Sequence, residues 1–99
     1  MHNLYYYDDG IPTWPYFFVL RATYFSELCE LRRGSKKYTP TTSFTNWLET
    51  HVGYGICVST YEVLDCPEAK WCFEESTTWP TLYFKDRKHA MHFRLVYQK

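Results

Sequence analysis

The chain has 99 residues, a formal net charge of zero and an aromatic content of 21%. A chain of this length builds one core of modest thickness, so we expect residues 1–99 to form a single domain without a large cofactor cavity. Zero net charge provides no long-range attraction to nucleic acid or anionic lipid. The excess of aromatic residues favours a sheet-rich core, an adhesive contact surface, or both.

The start of the chain, MHNLYYYDDG, lacks the basic region and apolar run of a signal peptide. No apolar stretch approaches the roughly 20 residues that a membrane helix needs. Four cysteines without a secretory signal are typical of reduced thiols in a cytosol. These features predict a cytoplasmic protein that does not enter a membrane.

The first half of the chain predicts two strands followed by two helices. LYYY is read as a short strand, and PYFFVLRA as a central strand buried on both faces. Apolar residues at helical spacing predict a helix over 23–34, which ends at a glycine. SKKYTPTT is a predicted loop, and a second short helix is predicted over 43–53.

The second half predicts three strands, a helix and a last strand. Residues 54–64 alternate with the period of a strand, and AKWCFEE is the predicted returning strand of a hairpin. TLYF is a further strand, RKHAMHF a short helix capped by Asp86, and RLVYQ a final strand. This order predicts an α+β fold, with a single mainly antiparallel sheet packed against two or three short helices. A ferredoxin-like arrangement is one that fits.

Two cysteines and two histidines raise the possibility of a zinc site, since thiolates and imidazoles are its usual ligands. These are Cys66, Cys72, His89 and His92. Their C-x5-C and H-x2-H spacing departs from the C-x2–4-C knuckles of zinc modules. We therefore prefer two strand thiols and two surface histidines, and expect no metal or cofactor, although the sequence leaves metal binding open.

The same two histidines are candidates for acid–base chemistry, because imidazole titrates near neutral pH. In the predicted helix, however, Ala90 and Phe93 define the buried stripe. Helical geometry then places His89 at the boundary of that stripe and turns His92 toward solvent. No motif of a catalytic nucleophile accompanies them, so we expect a protein that is not an enzyme.

Two basic clusters lie near aromatic residues and suggest an alternative function. Lys36 and Lys37 precede a tyrosine, and Arg87 and Lys88 follow the strand TLYF. Cations that bind phosphates, interleaved with rings that stack on bases, are what nucleotides and single-stranded nucleic acids require. A nucleotide or single-stranded nucleic-acid binding module is thus the second hypothesis.

Residues 82–95 resemble a pattern common at the C-termini of small accessory proteins of tailed bacteriophages. That pattern runs aromatic-Phe-x-Asp-x-x-x-Ala-x-x-Phe-x-Leu, and the chain matches it at Phe84, Asp86, Ala90 and Phe93. The resemblance implies an early viral protein that binds and inhibits a host factor or a defence system, such as CRISPR-Cas or another anti-phage system. It implies no catalytic residue.

The leading hypothesis is therefore a small non-enzymatic binding protein that occupies a surface on a host protein. Aromatic and arginine side chains are enriched at interface hot spots, which selects the contact candidates. The candidates are Trp14, Tyr16, Lys36, Lys37, Trp71, Trp79, Arg87 and Lys88. Homodimer formation through AKWCFEE is also expected to be feasible, if that strand lies at the edge of the sheet.

Overall fold

The computed structural model describes residues 4–21, 28–31, 33–59 and 66–97. Seven strands and two helices lie in this part of the chain, which confirms the predicted α+β class. The strands are β1 Leu4–Tyr7, β2 Tyr16–Leu20, β3 Cys29–Leu31, β4 Tyr38–Pro40, β5 Gly55–Val58, β6 Trp71–Glu74 and β7 Thr81–Phe84. The helices are α1 Thr42–His51 and α2 Arg87–Tyr97.

Five strands form the main sheet, in the order β1-β2-β7-β6-β5, and β3 pairs with β4 in a second small sheet. All neighbours in the main sheet are antiparallel except β5 and β6, which are parallel. The predicted hairpin between β5 and β6 is therefore wrong. A parallel pair requires a long crossover, which here spans residues 59–70.

The position of β6 also corrects the predicted dimer edge. This strand is hydrogen-bonded to β5 on one side and to β7 on the other, so its backbone is already paired. The strands at the two edges are β1 and β5. A homodimer cannot form by strand addition at AKWCFEE.

One face of the main sheet is covered by both helices. Alternate residues of the strands point to this side, as the two-residue period of a strand requires. The rings of Phe18, Phe84 and Phe93 meet here, with centroids of Phe18 and Phe93 4.9 Å apart. The buried residues of this core are Leu4, Phe18, Leu20, Leu28, Cys29, Phe44, Leu48, Trp71, Phe73, Leu82, Phe84, Ala90 and Phe93. The predicted buried stripe of α2 is confirmed.

Helix α1 follows its predicted boundaries closely. Its N-cap is Thr41, whose Oγ1 accepts a hydrogen bond from the amide of Phe44 at 3.2 Å. At the other end the chain leaves the helix through Gly53, which has a φ of +127° that other residues rarely adopt. Phe44 and Leu48 are its buried residues, as the apolar spacing indicates.

The helix predicted over 23–34 is wrong where the structure describes it. Cys29–Leu31 forms β3 and pairs with Tyr38–Pro40, which lies in the predicted polar loop. Residues 23–27 of the prediction lie outside the described residues. Leu31, expected on the buried stripe, is 57% exposed, so antiparallel pairing with β4 overrides the helical spacing.

The predicted final strand is also wrong, because α2 continues through 94–97. The ring of Tyr97 lies 5.0 Å from that of Phe93, one helical turn earlier, and 5.6 Å from that of Phe44 in α1. These ring contacts require Tyr97 to remain on the helix. The run RLVY has the composition of a strand, but it is helical because its tyrosine packs against rings of α1 and α2.

Candidate functional site

Two of the predicted contact residues belong to the interior. Trp14 and Trp71 are 0% and 1% exposed, so in this fold neither side chain lies on the surface where a partner would contact it. The indole Nε1 of Trp71 donates a hydrogen bond to the Gly53 carbonyl at 2.9 Å. Both indoles are large apolar groups that fill the core, which is the commoner role of a buried tryptophan.

The other candidates are at least partly exposed but do not form one surface. Trp79, Arg87, Lys88 and Lys36 are exposed, and Tyr16 and Lys37 are half-buried. The Lys37 Nζ donates a hydrogen bond to the carbonyl of Ser59, which ties it to the end of β5.

The two basic clusters lie toward opposite ends of the main sheet. Arg87 follows Phe84, which pairs with Trp71 at the start of β6. Tyr38, next to Lys37, pairs instead with Ser76 beyond the end of β6. Five residues of extended chain span about 17 Å, so the two clusters do not form one track for a nucleic-acid backbone.

Among the described residues, a row of exposed and half-buried rings lies on the sheet face opposite the helices. Residues on this side of adjacent strands stand in register, so that Tyr7 pairs with Phe17 and Phe17 pairs with Tyr83. The rings of Tyr7 and Phe17 are stacked at 4.9 Å, and those of Phe17 and Tyr83 lie 5.6 Å apart. The result is a row of three rings across β1, β2 and β7.

A second pair of rings lies beside this row, near the start of β7. The Tyr5 and Trp79 rings lie 5.7 Å apart, and Arg21 lies over Trp79 at 5.8 Å. Tyr5, Tyr7 and Trp79 are 42%, 43% and 40% exposed, respectively. We name these five residues the aromatic face: Tyr5, Tyr7, Phe17, Tyr83 and Trp79.

Sequence reasoning identified only Trp79 in the aromatic face. The missed tyrosines and phenylalanine lie in β1, β2 and β7, which the sequence predicts as strands without assigning their rings to a contact surface. Strand β2 was expected to be buried on both faces, yet Phe17 and Val19 are only half-buried. Alternate residues of LYYY and TLYF point to opposite faces of the sheet. Which rings on one face meet, however, depends on which strands are neighbours.

The remainder of the same sheet face is covered, and we call this part the closed half. Trp14 lies over it and packs in a cluster with Val58, Ala69 and Cys72, of which all four are buried. Lys85 holds this cover in place, because its Nζ lies 4.7 Å from the centre of the Trp14 ring and donates to the Cys66 carbonyl at 2.5 Å.

Acidic groups border the aromatic face. Asp8 and Asp9 are exposed and follow directly after Tyr7. Burial raises the pKa of the Glu74 carboxyl, against the lowering effect of its hydrogen bond with Tyr83. Burial, with the nearby Glu74 charge, raises the pKa of Tyr83 to about 12. The tyrosine hydroxyl is therefore a stable donor to this carboxylate at neutral pH.

The candidate zinc ligands are divided between the two sides of the sheet. Cys66 and Cys72 lie in the closed half, whereas His89 and His92 are carried by α2 on the helix side. Across the described ranges, no group of three or more His, Cys, Asp or Glu side chains is placed to hold a metal ion. Burial raises the pKa of Cys72 to about 12, so this sulfur remains a thiol at neutral pH.

The two histidines occupy the predicted positions on α2. His92 is exposed, and its ring lies 5.3 Å from the rings of both Trp47 and His51. His89 is half-buried at the boundary of the stripe. The two rings therefore differ in exposure, with His92 facing solvent and His89 partly covered.

Neither helix within the described ranges has the length and apolar character needed to cross a bilayer. No family model matches the chain, and no match was found among the curated proteins or among the solved structures.

Proposed function

We propose that this protein is a non-enzymatic binding protein whose aromatic face docks on the surface of a partner protein. The observation that carries this proposal is the row of rings across β1, β2 and β7, on a sheet whose neighbouring half is closed by Trp14. Sheet faces of small domains are usually covered or polar, and contiguous exposed apolar area marks contact sites.

The physical form of the aromatic face suits protein recognition. Tyrosine and tryptophan offer large contact area with few rotatable bonds, so they lose little conformational entropy on binding. Stacking between Tyr7 and Phe17, and packing of Trp79 on Tyr5, hold the rings in place before a partner arrives. Pre-organised contacts of this kind lower the entropic cost of association.

The charges around the face favour a protein over a nucleic acid. Nucleic-acid binding draws much of its free energy from cations that neutralise phosphates. Here Asp8 and Asp9 stand beside Tyr7, and Glu74 accepts from Tyr83. A partner surface with aliphatic groups, and with lysine or arginine facing these acids, is therefore the occupant we propose.

The resemblance of residues 82–95 to phage accessory proteins suggests what kind of partner this is. We infer a phage-encoded protein that inhibits or modulates a host protein or defence system in the host cytoplasm, by covering a surface that the host factor needs. The structural role of Phe84, Asp86, Ala90 and Phe93, which join β7 to α2, is compatible with this inference but is independent of it.

The second candidate is a nucleotide or single-stranded nucleic-acid binding module. It draws support from the Arg21 guanidinium over Trp79, since a cation beside a stacking platform is a feature of such sites. The acids beside Tyr7 oppose it.

Affinity capture from bacterial lysate tests the proposal with matched variants. We expect the unmodified protein to retain one dominant polypeptide that withstands nuclease treatment. A Tyr7→Ser, Trp79→Ala double variant should lose it, whereas Leu95→Ala should retain it, because Leu95 is 82% exposed but lies on α2. Equal retention by all three proteins, or capture of nuclease-sensitive material alone, would refute docking through the aromatic face.

A further inference from the structure

An open cleft of about 410 Å³ lies at the junction of β7 and α2, and none of the residues that line it belongs to the aromatic face. Its volume falls within the roughly 300–1,000 Å³ range typical of small-molecule sites. The residues that line it are Tyr16, Lys70, Lys85, Asp86, Arg87 and His89. Three cationic side chains and an imidazole thus face a single carboxylate.

The one carboxylate in this lining has a structural task. Asp86 caps α2: its Oδ1 accepts a hydrogen bond from the amide of Lys88 at 3.0 Å, and its carbonyl accepts from the amide of Ala90 at 3.2 Å. A carboxylate that caps a helix is only partly available to neutralise neighbouring cations. The cleft therefore keeps a positive potential.

The cationic side chains at the start of α2 lie at the end of the helix where cations are electrostatically unfavourable. Arg87 and Lys88 occupy the first turn of α2, and this turn, all of whose residues are described, contains no acid. The amino end of a helix is its positive pole, so cations there cost stability and anions are favoured. Helix stability does not explain the arginine at position 87, whereas an anionic ligand in the cleft does.

His89 supplies a further unpaired polar group. Its Nδ1 is buried and has no hydrogen-bond partner among the described residues. Burial lowers the pKa of this imidazole, as do the charges of Lys88, Lys70 and His92, while Asp86 opposes them. A neutral imidazole carries one N–H, and because the His89 side chain lines the cleft, this N–H can be donated to an anionic oxygen there.

We propose that this cleft binds a phosphate dianion, free or as the phosphate of a small monoester, through Lys70, Arg87 and His89. The guanidinium of Arg87 matches two phosphate oxygens with parallel N–H donors, and Lys70 adds a compact positive charge. Tyr16, half-buried in the wall of the cleft, offers a hydroxyl or a ring edge to the remainder of a monoester. This site shares no residue with the aromatic face, so its failure would leave the proposed function unaffected.

Titration of the labelled full-length protein, followed by NMR, tests the site with two probes, inorganic phosphate and adenosine monophosphate. We expect saturable shifts of the amides around Asp86 and of the His89 ring. An anion near His89 favours the imidazolium form, so its pKa should rise as phosphate binds. Tighter binding of the nucleotide would assign a monoester ligand, and equal binding would assign phosphate alone.

Single replacements distinguish a built site from diffuse attraction. Arg87→Gln and Lys70→Gln should each weaken binding by about tenfold or more, as expected for a lost charge-assisted hydrogen bond. Lys88→Gln is the matched control, because Lys88 is exposed and adjacent to Arg87 but does not line the cleft. Unchanged amide spectra away from the cleft would show that each variant is folded.

Two results would overturn the proposal. One is the absence of saturable shifts with either probe. The other is an equal loss of affinity in Lys88→Gln and Arg87→Gln, without a change at the His89 ring, which would show that phosphate responds to net charge alone.

Discussion

The two halves of the helix-free sheet face contain similar residues in different surroundings. In the closed half, Trp14 is fully buried over Cys72 and Val58. In the aromatic face, Trp79 rests on Tyr5 and remains 40% exposed. Both tryptophans lie in loops rich in turn residues, and the sequence around them does not reveal which one is covered.

The difference between the halves comes from the chain segment that crosses each of them. The loop between β1 and β2 carries Trp14 across the sheet toward β5 and β6, and Lys85 fixes the indole from the other side. The same loop leaves the rings of Tyr5 and Tyr7 in β1 exposed. A ring is therefore structural or available for binding according to what lies over it, and not according to its type.

The largest expected effect is on Trp14. Trp14→Ala removes the cover of the closed half and should lower the free energy of unfolding by about 3–5 kcal/mol, as for other large-to-small core changes. Urea denaturation followed by circular dichroism measures this loss. A decrease below about 1 kcal/mol would mean that the closed half is not a second core.

Gly10→Ala should disturb the same cover from the backbone. A Cβ at this position would overlap the Trp14 carbonyl oxygen and lie 3.0 Å from that of Pro15, so the loop would have to move. We expect a loss of about 1–3 kcal/mol, typical of overpacking. Asp9→Ala, in the exposed neighbouring position, should stay within about 0.5 kcal/mol. Equal values for the two variants would contradict this account of the loop.

Trp79→Ala is the counterpart of Trp14→Ala in the aromatic face. Its tilted ring contact with Tyr5 is worth about 0.5–1.5 kcal/mol, so the stability change should be several-fold smaller than for Trp14. Partner binding should instead be affected more by Trp79→Ala than by Trp14→Ala, and the Trp79→Ala variant should no longer capture the partner. The comparison fails if the two variants destabilise the protein equally.

The smallest effect concerns pH and the carboxyl of Glu74, which lies on the same sheet face as Tyr83. Burial raises the pKa of this carboxyl above 4.5 in the folded state, so the folded protein binds a proton here more tightly than the unfolded chain does. This contribution to stability is complete below pH 4.5 and is lost as the pH rises through the raised value. Glu74→Gln should remove that dependence in urea denaturation across the acidic range.

Tyr83→Phe provides the matching test for Glu74. The Tyr83 hydrogen bond lowers the pKa of the carboxyl, so its loss should raise that pKa further and enlarge the gain in stability toward acidic pH. A smaller pH dependence in Tyr83→Phe than in the unmodified protein would contradict the assigned hydrogen bond.

The sequence allowed good prediction wherever local signals and tertiary packing agree. Both helices combine a capping residue with apolar residues at helical spacing. Helix α1, the cap at Asp86, and the stripe of Ala90 and Phe93 are all present. The α+β class follows from the same elements.

Predictions failed where pairing or packing with another segment decides the structure. Cys29–Leu31 has helical spacing but pairs with β4, and RLVY has strand composition but is held in α2 by the Tyr97 ring. The aromatic face was missed for the same reason, since Tyr7, Phe17 and Tyr83 come from three strands whose register only the folded sheet defines.

Site-specific photo-crosslinking tests the central claim most directly. A benzoylphenylalanine placed at Trp79, in an otherwise unmodified chain, should crosslink one dominant polypeptide in bacterial lysate. The same group at Leu95, which is exposed on the helix side of the molecule, should not. Crosslinking from position 79 alone is the result that this account predicts, and crosslinking of that polypeptide from position 95 alone would contradict it.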